Sequence, residues 1–105
     1  MTVLETVNDY VQTHYTEPIS LDIIASVCGL SVSHFAHLFK AATGATFYNY
    51  LIAYRCSRAT ELIAAERRSM IDVALTCGFS EVRAFNRAFK RIYGQTPSEY
   101  RRQLQ

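Results

Sequence analysis

Proline and glycine are scarce, two and four in 105 residues. Long irregular connections draw on both, so the chain is predicted to be built almost wholly of one kind of secondary structure, helix. Cysteine is also sparse. Cys28, Cys56 and Cys77 are far apart and odd in number, and no secretion signal accompanies them, which argues against a disulfide framework and predicts buried thiols. Charge is low at 19%, yet half the residues are apolar, with seven Tyr and six Phe, so disorder is excluded and a folded core expected. Acidic residues begin at Glu5 and no run approaches about 18 uncharged apolar residues. The expectation is a soluble, cytoplasmic protein without signal peptide or membrane span.

Catalytic equipment is missing in the same way. The sequence carries no Gly-rich phosphate loop and no recognisable Ser, His and acid arrangement, so an enzyme is not expected. His34-x-x-His37 sets two imidazoles on neighbouring helical turns, but no Cys-x-x-Cys pair completes a ligand set, and Cys28 and Cys77 stand at matching packing positions. Neither metal nor cofactor is expected.

The net charge of +2 hides an asymmetry. Residues 1–52 carry one base, Lys40, against Glu5, Asp9, Glu17 and Asp22, a net −3; residues 53–105 carry ten bases against five acids, a net +5. The basic half is a mild electrostatic footprint for a polyanion.

Helix signals run the length of the chain. Thr2-x-x-Glu5 has capping-box spacing and opens a helix whose apolar face is Val3, Leu4, Val7, Tyr10, Val11 and His14, interrupted at Glu17-Pro18. Ser20 caps a segment from Leu21 to Cys28, ended by Gly29, and Ser31 caps a helix from Val32 to Thr43, closed by Gly44. A longer helix runs from Thr46 to Ala65 on Phe47, Tyr50, Leu51, Tyr54, Ala59, Leu62 and Ile63. Ser69, with Asp72 completing a capping box, opens Met70 to Cys77, ended by Gly78; Ser80 caps a helix from Glu81 to Tyr93, closed by Gly94. Thr96-Pro97-Ser98-Glu99 then supplies an N-cap, a proline at the first helical position and a carboxylate at the third, starting a last helix to Leu104. The expected fold is all-α, with seven helices.

Overlaying the halves reveals a repeat. At an offset of 49, Ser20, Ala25, Cys28, Gly29 and Ser31 meet Ser69, Ala74, Cys77, Gly78 and Ser80. Past the turn the offset becomes 50, and Val32, Phe35, Phe39, Lys40, Gly44, Thr46 and Tyr50 meet Val82, Phe85, Phe89, Lys90, Gly94, Thr96 and Tyr100. Two homeodomain-like helix-turn-helix subdomains, residues 1–45 and 66–105, are therefore expected on a connecting helix, residues 46–65.

On a wheel of about 100° per residue, Phe85, Ala88, Phe89 and Ile92 form one apolar sector, and Arg83, Asn86, Arg87 and Lys90 lie opposite in a stripe about 100° wide. The stripe contains no acid, although a merely solvated face would favour mixed signs for i,i+4 pairing. Arg grips guanine O6 and N7 with two donors and Asn grips adenine N6 and N7, so the stripe has the chemistry of base reading. The earlier repeat repeats the geometry with Phe35, Leu38, Phe39 and Ala42 inward and Ser33, Ala36, His37 and Lys40 outward. Its hydroxyl, imidazole and methyl groups suit base edges and the thymine methyl, with less charge. A connecting helix of about 20 residues at roughly 1.5 Å each spans about 30 Å, close to the roughly 34 Å between successive major-groove openings on one face of B-DNA. Because the stripes differ, the bound site is expected to be asymmetric.

Gly78-Phe79-Ser80, Phe85-Asn86-Arg87-Ala88-Phe89-Lys90, Gly94, Thr96-Pro97 and Tyr100-Arg101 resemble the signature of the AraC/XylS family of bacterial transcription regulators. Ala25, Gly29, Ser31, Phe35, Phe39-Lys40, Gly44, Tyr50-Leu51, Arg55, Ala59 and Leu62-Ile63 resemble the rest of that family's DNA-binding domain, so the likeness covers nearly the whole chain. It implies transcription regulation, usually activation through RNA polymerase, by a monomer that sets two recognition helices into successive major grooves of promoter DNA in the bacterial nucleoid. The implied base-contacting residues are Ser33, Ala36, His37, Val82, Arg83, Asn86 and Arg87, with Lys40, Lys90 and Arg91 on phosphates. Arg55 is read either as a scaffold group or as a phosphate contact, and Arg58, Arg67 and Arg68 as solvated surface. Many members carry a further effector-sensing or dimerisation domain, and the sequence is compatible with a stand-alone regulator or, the favoured reading, a fragment of a longer one. The rival to DNA binding is a protein-interaction module of the same fold.

Overall fold

The helices begin where a side chain can satisfy backbone N–H groups that have no partner within the helix. In the computed structural model, which describes residues 1–65 and 67–105, these starts give α1 (Val3–His14), α2 (Leu21–Val27), α3 (Val32–Thr43), α4 (Phe47–Ala65), α5 (Met70–Thr76), α6 (Val82–Tyr93) and α7 (Pro97–Leu104). There is no strand among the described residues. The all-α expectation holds, and the expected start of the last segment, residue 66, lies outside the described residues.

Thr2 and Glu5 close a full capping box, as do Thr96 and Glu99, where the Glu99 N–H donates to Thr96 Oγ1 at 3.1 Å and the Thr96 N–H to Glu99 Oε1 at 2.7 Å. Ser20, Ser31, Thr46 and Ser69 each accept from an N–H three residues on, at 3.1 to 3.2 Å. Two expectations about caps need correcting. Ser69 accepts from the Asp72 N–H, but no return bond from the shorter Asp72 side chain closes a box among the described residues. Ser80 is not the cap of α6: Glu81 takes that place with extended backbone and makes no side-chain cap bond. The residue inserted in the second repeat thus pushes the serine one step outside the helix.

The chain divides into two compact units, Met1–Leu51 and Ile52–Gln105. In the first, α2 and α3 meet at 84°, the corner of a helix-turn-helix, with Gly29 at φ +71° in the turn. Val7, Val11, Ile24, Ala25, Phe35, Phe39 and Phe47 are buried there. The Phe39 ring lies edge-on to Tyr50 at 5.4 Å, and the Tyr50 hydroxyl donates to Asn8 Oδ1, tying α1 to the first turn of α4. The second unit repeats this device: Phe89 meets Tyr100 edge-on at 5.6 Å, while Phe79, Phe85, Val73, Ala74 and Cys77 fill the core against Cys56, Ala59 and Ile63. Each such aromatic contributes about 1.5 to 3 kcal/mol by burial. α3 and α6 also stop alike, with Gly44 and Gly94 left-handed at φ +79° and +78° and their N–H groups bonded to the Lys40 and Lys90 carbonyls.

The apolar sectors end one turn earlier than the wheel suggests. Ala42 and Ile92, at matching positions near the helix ends, are exposed, because both cores are closed by the paired phenylalanines one turn before them. Cys56 and Cys77 are buried as expected, whereas Cys28 is only half-buried. In α4 the sequence pattern missed Ile52 and Arg55, both buried.

Candidate nucleic-acid interface

Burying Phe85, Ala88 and Phe89 fixes the rotation of α6, and with it what the helix presents to solvent. Arg83, Asn86, Arg87 and Lys90 are all exposed, and none of their side chains makes a hydrogen bond or salt bridge among the described residues, although the Lys90 charge acts at longer range on the Glu99 carboxyl. An acid-free row of three cations and one amide, without such bonds, is a face whose donors are available to an outside acceptor. Val82, at the helix start, is half-buried and offers only part of its side chain. Arg91 is exposed on the flank of the row, close enough to α4 for its charge to act on the Cys56 thiol.

In the first unit Phe35 and Phe39 set the rotation of α3 in the same way, leaving Ser33, His37 and Lys40 exposed and Ala36 half-buried. The sequence-predicted residues thus share one face within each unit, three or four residues apart. They differ in chemistry: the α3 face has a single permanent cation and the α6 face three.

The remaining arginines are structural to different degrees. Arg55, 8% exposed, is held by interactions inside the protein, which accords with the scaffold reading. Arg58 pairs with Glu61 at 2.7 Å. Arg68 is not simple solvated surface: it donates to Thr76 Oγ1 at 3.2 Å, and its carbonyl accepts from Arg101 at 2.5 Å, so the strap before α5 is held from both α5 and α7. Arg101 had no role assigned from sequence; its match to Leu51 at an offset of 50 is the signal that marks it as a position where the repeats diverge. No group of three or more His, Cys, Asp or Glu able to hold a metal occurs among the described residues. No single helix among them is long and apolar enough to cross a membrane.

A helix-turn-helix domain family matches residues 24–103, which takes in nearly all of the second unit and the first from within α2 onward. The chain belongs to the AraC/XylS family. It is 36% identical over 94 residues to LumQ of Photobacterium leiognathi, a probable transcriptional regulator, covering 90% of this chain and 38% of that protein. It resembles the AraC-type DNA-binding-domain regulator of Chromobacterium violaceum with a TM-score of 0.89 and 29% identity over 97% of this chain and 91% of that one. The DNA-binding domain of AdpA, a global transcriptional factor solved with a target DNA, matches with a TM-score of 0.88 and 28% identity over 96% of this chain and 90% of that one. The chain spans about a third of the length of several curated relatives, from 32% to 38%. LumQ and AdpA are named as transcriptional regulators.

Proposed function

We propose that this chain binds double-stranded DNA sequence-specifically as a monomer and regulates transcription, by activation through contact with RNA polymerase. α3 and α6 enter successive major grooves of an asymmetric site. Arg83 and Arg87 take guanine edges, Asn86 an adenine edge, and Val82 an apolar contact at the start of α6; Ser33, Ala36 and His37 read the other half. Lys40, Lys90 and Arg91 hold phosphates. The observation that carries this reading is the exposed, acid-free row on α6, whose side chains make no hydrogen bond or salt bridge among the described residues. The AdpA domain, of the same fold and solved with its target DNA, supports it.

The test is selection of bound duplexes from a random pool, followed by titration of the selected and a scrambled duplex at several salt concentrations. Log K should fall by about 0.9 per phosphate contact for each log unit of salt. The Arg83→Ala, Arg87→Ala double variant should lose most of the preference for the selected duplex. Unchanged preference in that variant would remove α6 as the reader, and a flat salt response would favour the protein-interaction module.

A further inference from the structure

The two units are built on one plan, so the places where they differ chemically are informative. In the second unit Arg101 of α7 reaches the Arg68 carbonyl, and its side chain crosses the space between α7 and the strap before α5. At the matching positions of the first unit the residues are Leu51 and Ile19. Leu21, Ala36 and Tyr48 stand where the second unit has Met70, Asn86 and Ser98. An arginine that bridges two elements is matched by a leucine too short to do so, Asn86 and Ser98 are matched by alanine and tyrosine, and Met70 by another apolar residue, leucine. What remains is a cleft of about 400 Å³ whose lining includes Ile19, Leu21, Ala36, Tyr48 and Leu51 together with Lys40. Leu21 and Tyr48 are 38% and 66% exposed, so apolar surface stays open to solvent on both sides of it.

We propose that this cleft is a binding site for a small amphipathic organic anion, an aromatic or aliphatic body carrying one carboxylate. The volume lies in the range of small-molecule pockets, about 300 to 1,000 Å³. The apolar walls take the body, and Lys40, the one Lys or Arg in the first unit, supplies the countercharge. Ala36 and Lys40 also belong to the outward face of α3. A bound anion neutralises Lys40 and blocks Ala36, so ligand and DNA exclude one another in this unit; that consequence rests on the DNA-reading assignment, whereas the site itself does not.

The experiment titrates ¹⁵N-labelled protein with 2-naphthoate and, separately, with its neutral analogue 2-naphthol. Saturable amide shifts are expected around Ala36, Tyr48 and Leu51, with naphthoate bound about fivefold more tightly, the worth of one ion pair near water. Lys40→Met should erase that difference. Leu51→Arg, which restores the second unit's arrangement, should abolish both; because Leu51 is buried, Tyr48→Ala serves as the surface variant and should weaken both severalfold. Absence of saturation, shifts centred in the second unit, or equal affinity of the native protein for acid and alcohol would overturn the proposal. In a DNA titration, naphthoate should compete with DNA in the native protein, and Lys40→Met should need about fivefold more naphthoate for the same relative loss of DNA affinity. If DNA is bound but indifferent to naphthoate, the overlap with the α3 reading face is refuted; if naphthoate binds as described and DNA does not bind at all, the DNA reading fails and the site stands.

Discussion

Removing Arg87 and removing Lys90 should damage DNA binding in two different ways. Both side chains are exposed on α6 and neither makes a hydrogen bond or salt bridge among the described residues. Alanine is also the best helix former, so each substitution should change folding stability by no more than about 0.5 kcal/mol. Losses in affinity then report the interface alone. Arg87→Ala removes a bidentate base contact, about 1 to 3 kcal/mol, or roughly 5- to 150-fold on the selected duplex, with little change on a scrambled one. Lys90→Ala removes one phosphate contact, weakening all sequences alike and lowering the salt slope by about 0.9. Between about 50 and 200 mM salt that difference makes the variant's salt-induced loss smaller than the native one by roughly 3.5-fold. Fluorescence anisotropy with labelled duplexes at four salt concentrations measures both quantities. A sequence-selective loss in Lys90→Ala with an unchanged slope, or a uniform loss in Arg87→Ala, would refute the division of α6 into base and phosphate contacts.

Three further outcomes test the scaffold. Gly44→Ala and Gly94→Ala should each cost about 1 kcal/mol in urea denaturation, since both positions are left-handed while the added Cβ meets nothing within 4 Å, leaving conformation as the sole cost. Thr96→Ala should cost about 1 kcal/mol at neutral pH. Hydrogen bonds from Thr96 hold the Glu99 carboxyl below its ordinary value, so its contribution is complete above the unfolded carboxylate pKa and disappears as pH falls through the lower folded one. The larger of these bonds comes from the Thr96 backbone N–H, which Thr96→Ala keeps, so Glu99→Gln is the variant whose stability gap from the native protein should narrow on acidification, measured by urea titration at pH 7 and pH 3. Burial pushes Cys56 up to about 12 and Cys77 up to about 11, so DTNB should modify half-buried Cys28 first and reach the other two only in denaturant.

Local signals were readable from the sequence wherever the chemistry is local. A Ser or Thr three residues before a free N–H, and a glycine after the last turn, specify their own geometry, which is why most helix starts and the ends of α3 and α6 fall where the spacing puts them. Ser80 misled because the same rule has two candidate positions when a residue is inserted, and the choice belongs to the packing of Phe79 and Phe85, 5.2 Å apart, rather than to the cap. α4 misled for a related reason. Phe47 and Leu51 are buried within the first unit and Ile52, Cys56, Ala59 and Ile63 within the second. A helix that serves two cores keeps no single apolar stripe, so periodicity finds the helix but not all of its buried positions.

The outward faces were legible for the opposite reason, since they are what remains once the phenylalanines have chosen a side. That logic yields orientation and not strength. Within the α3 face the half-buried Ala36 shows that an outward position on the wheel can double as the wall of a cleft, a property set by residues 15 places before it and 12 after it, Leu21 and Tyr48. No window along one helix contains that information; laying one repeat on the other does. Where Arg101 and Asn86 of the second unit become Leu51 and Ala36 of the first, the phenylalanine pair Phe85 and Phe89 still matches Phe35 and Phe39, and Gly94 still matches Gly44. Divergence between α3 and the first turns of α4 therefore leaves that phenylalanine pair in place, and its consequences fall on whatever the cleft there touches.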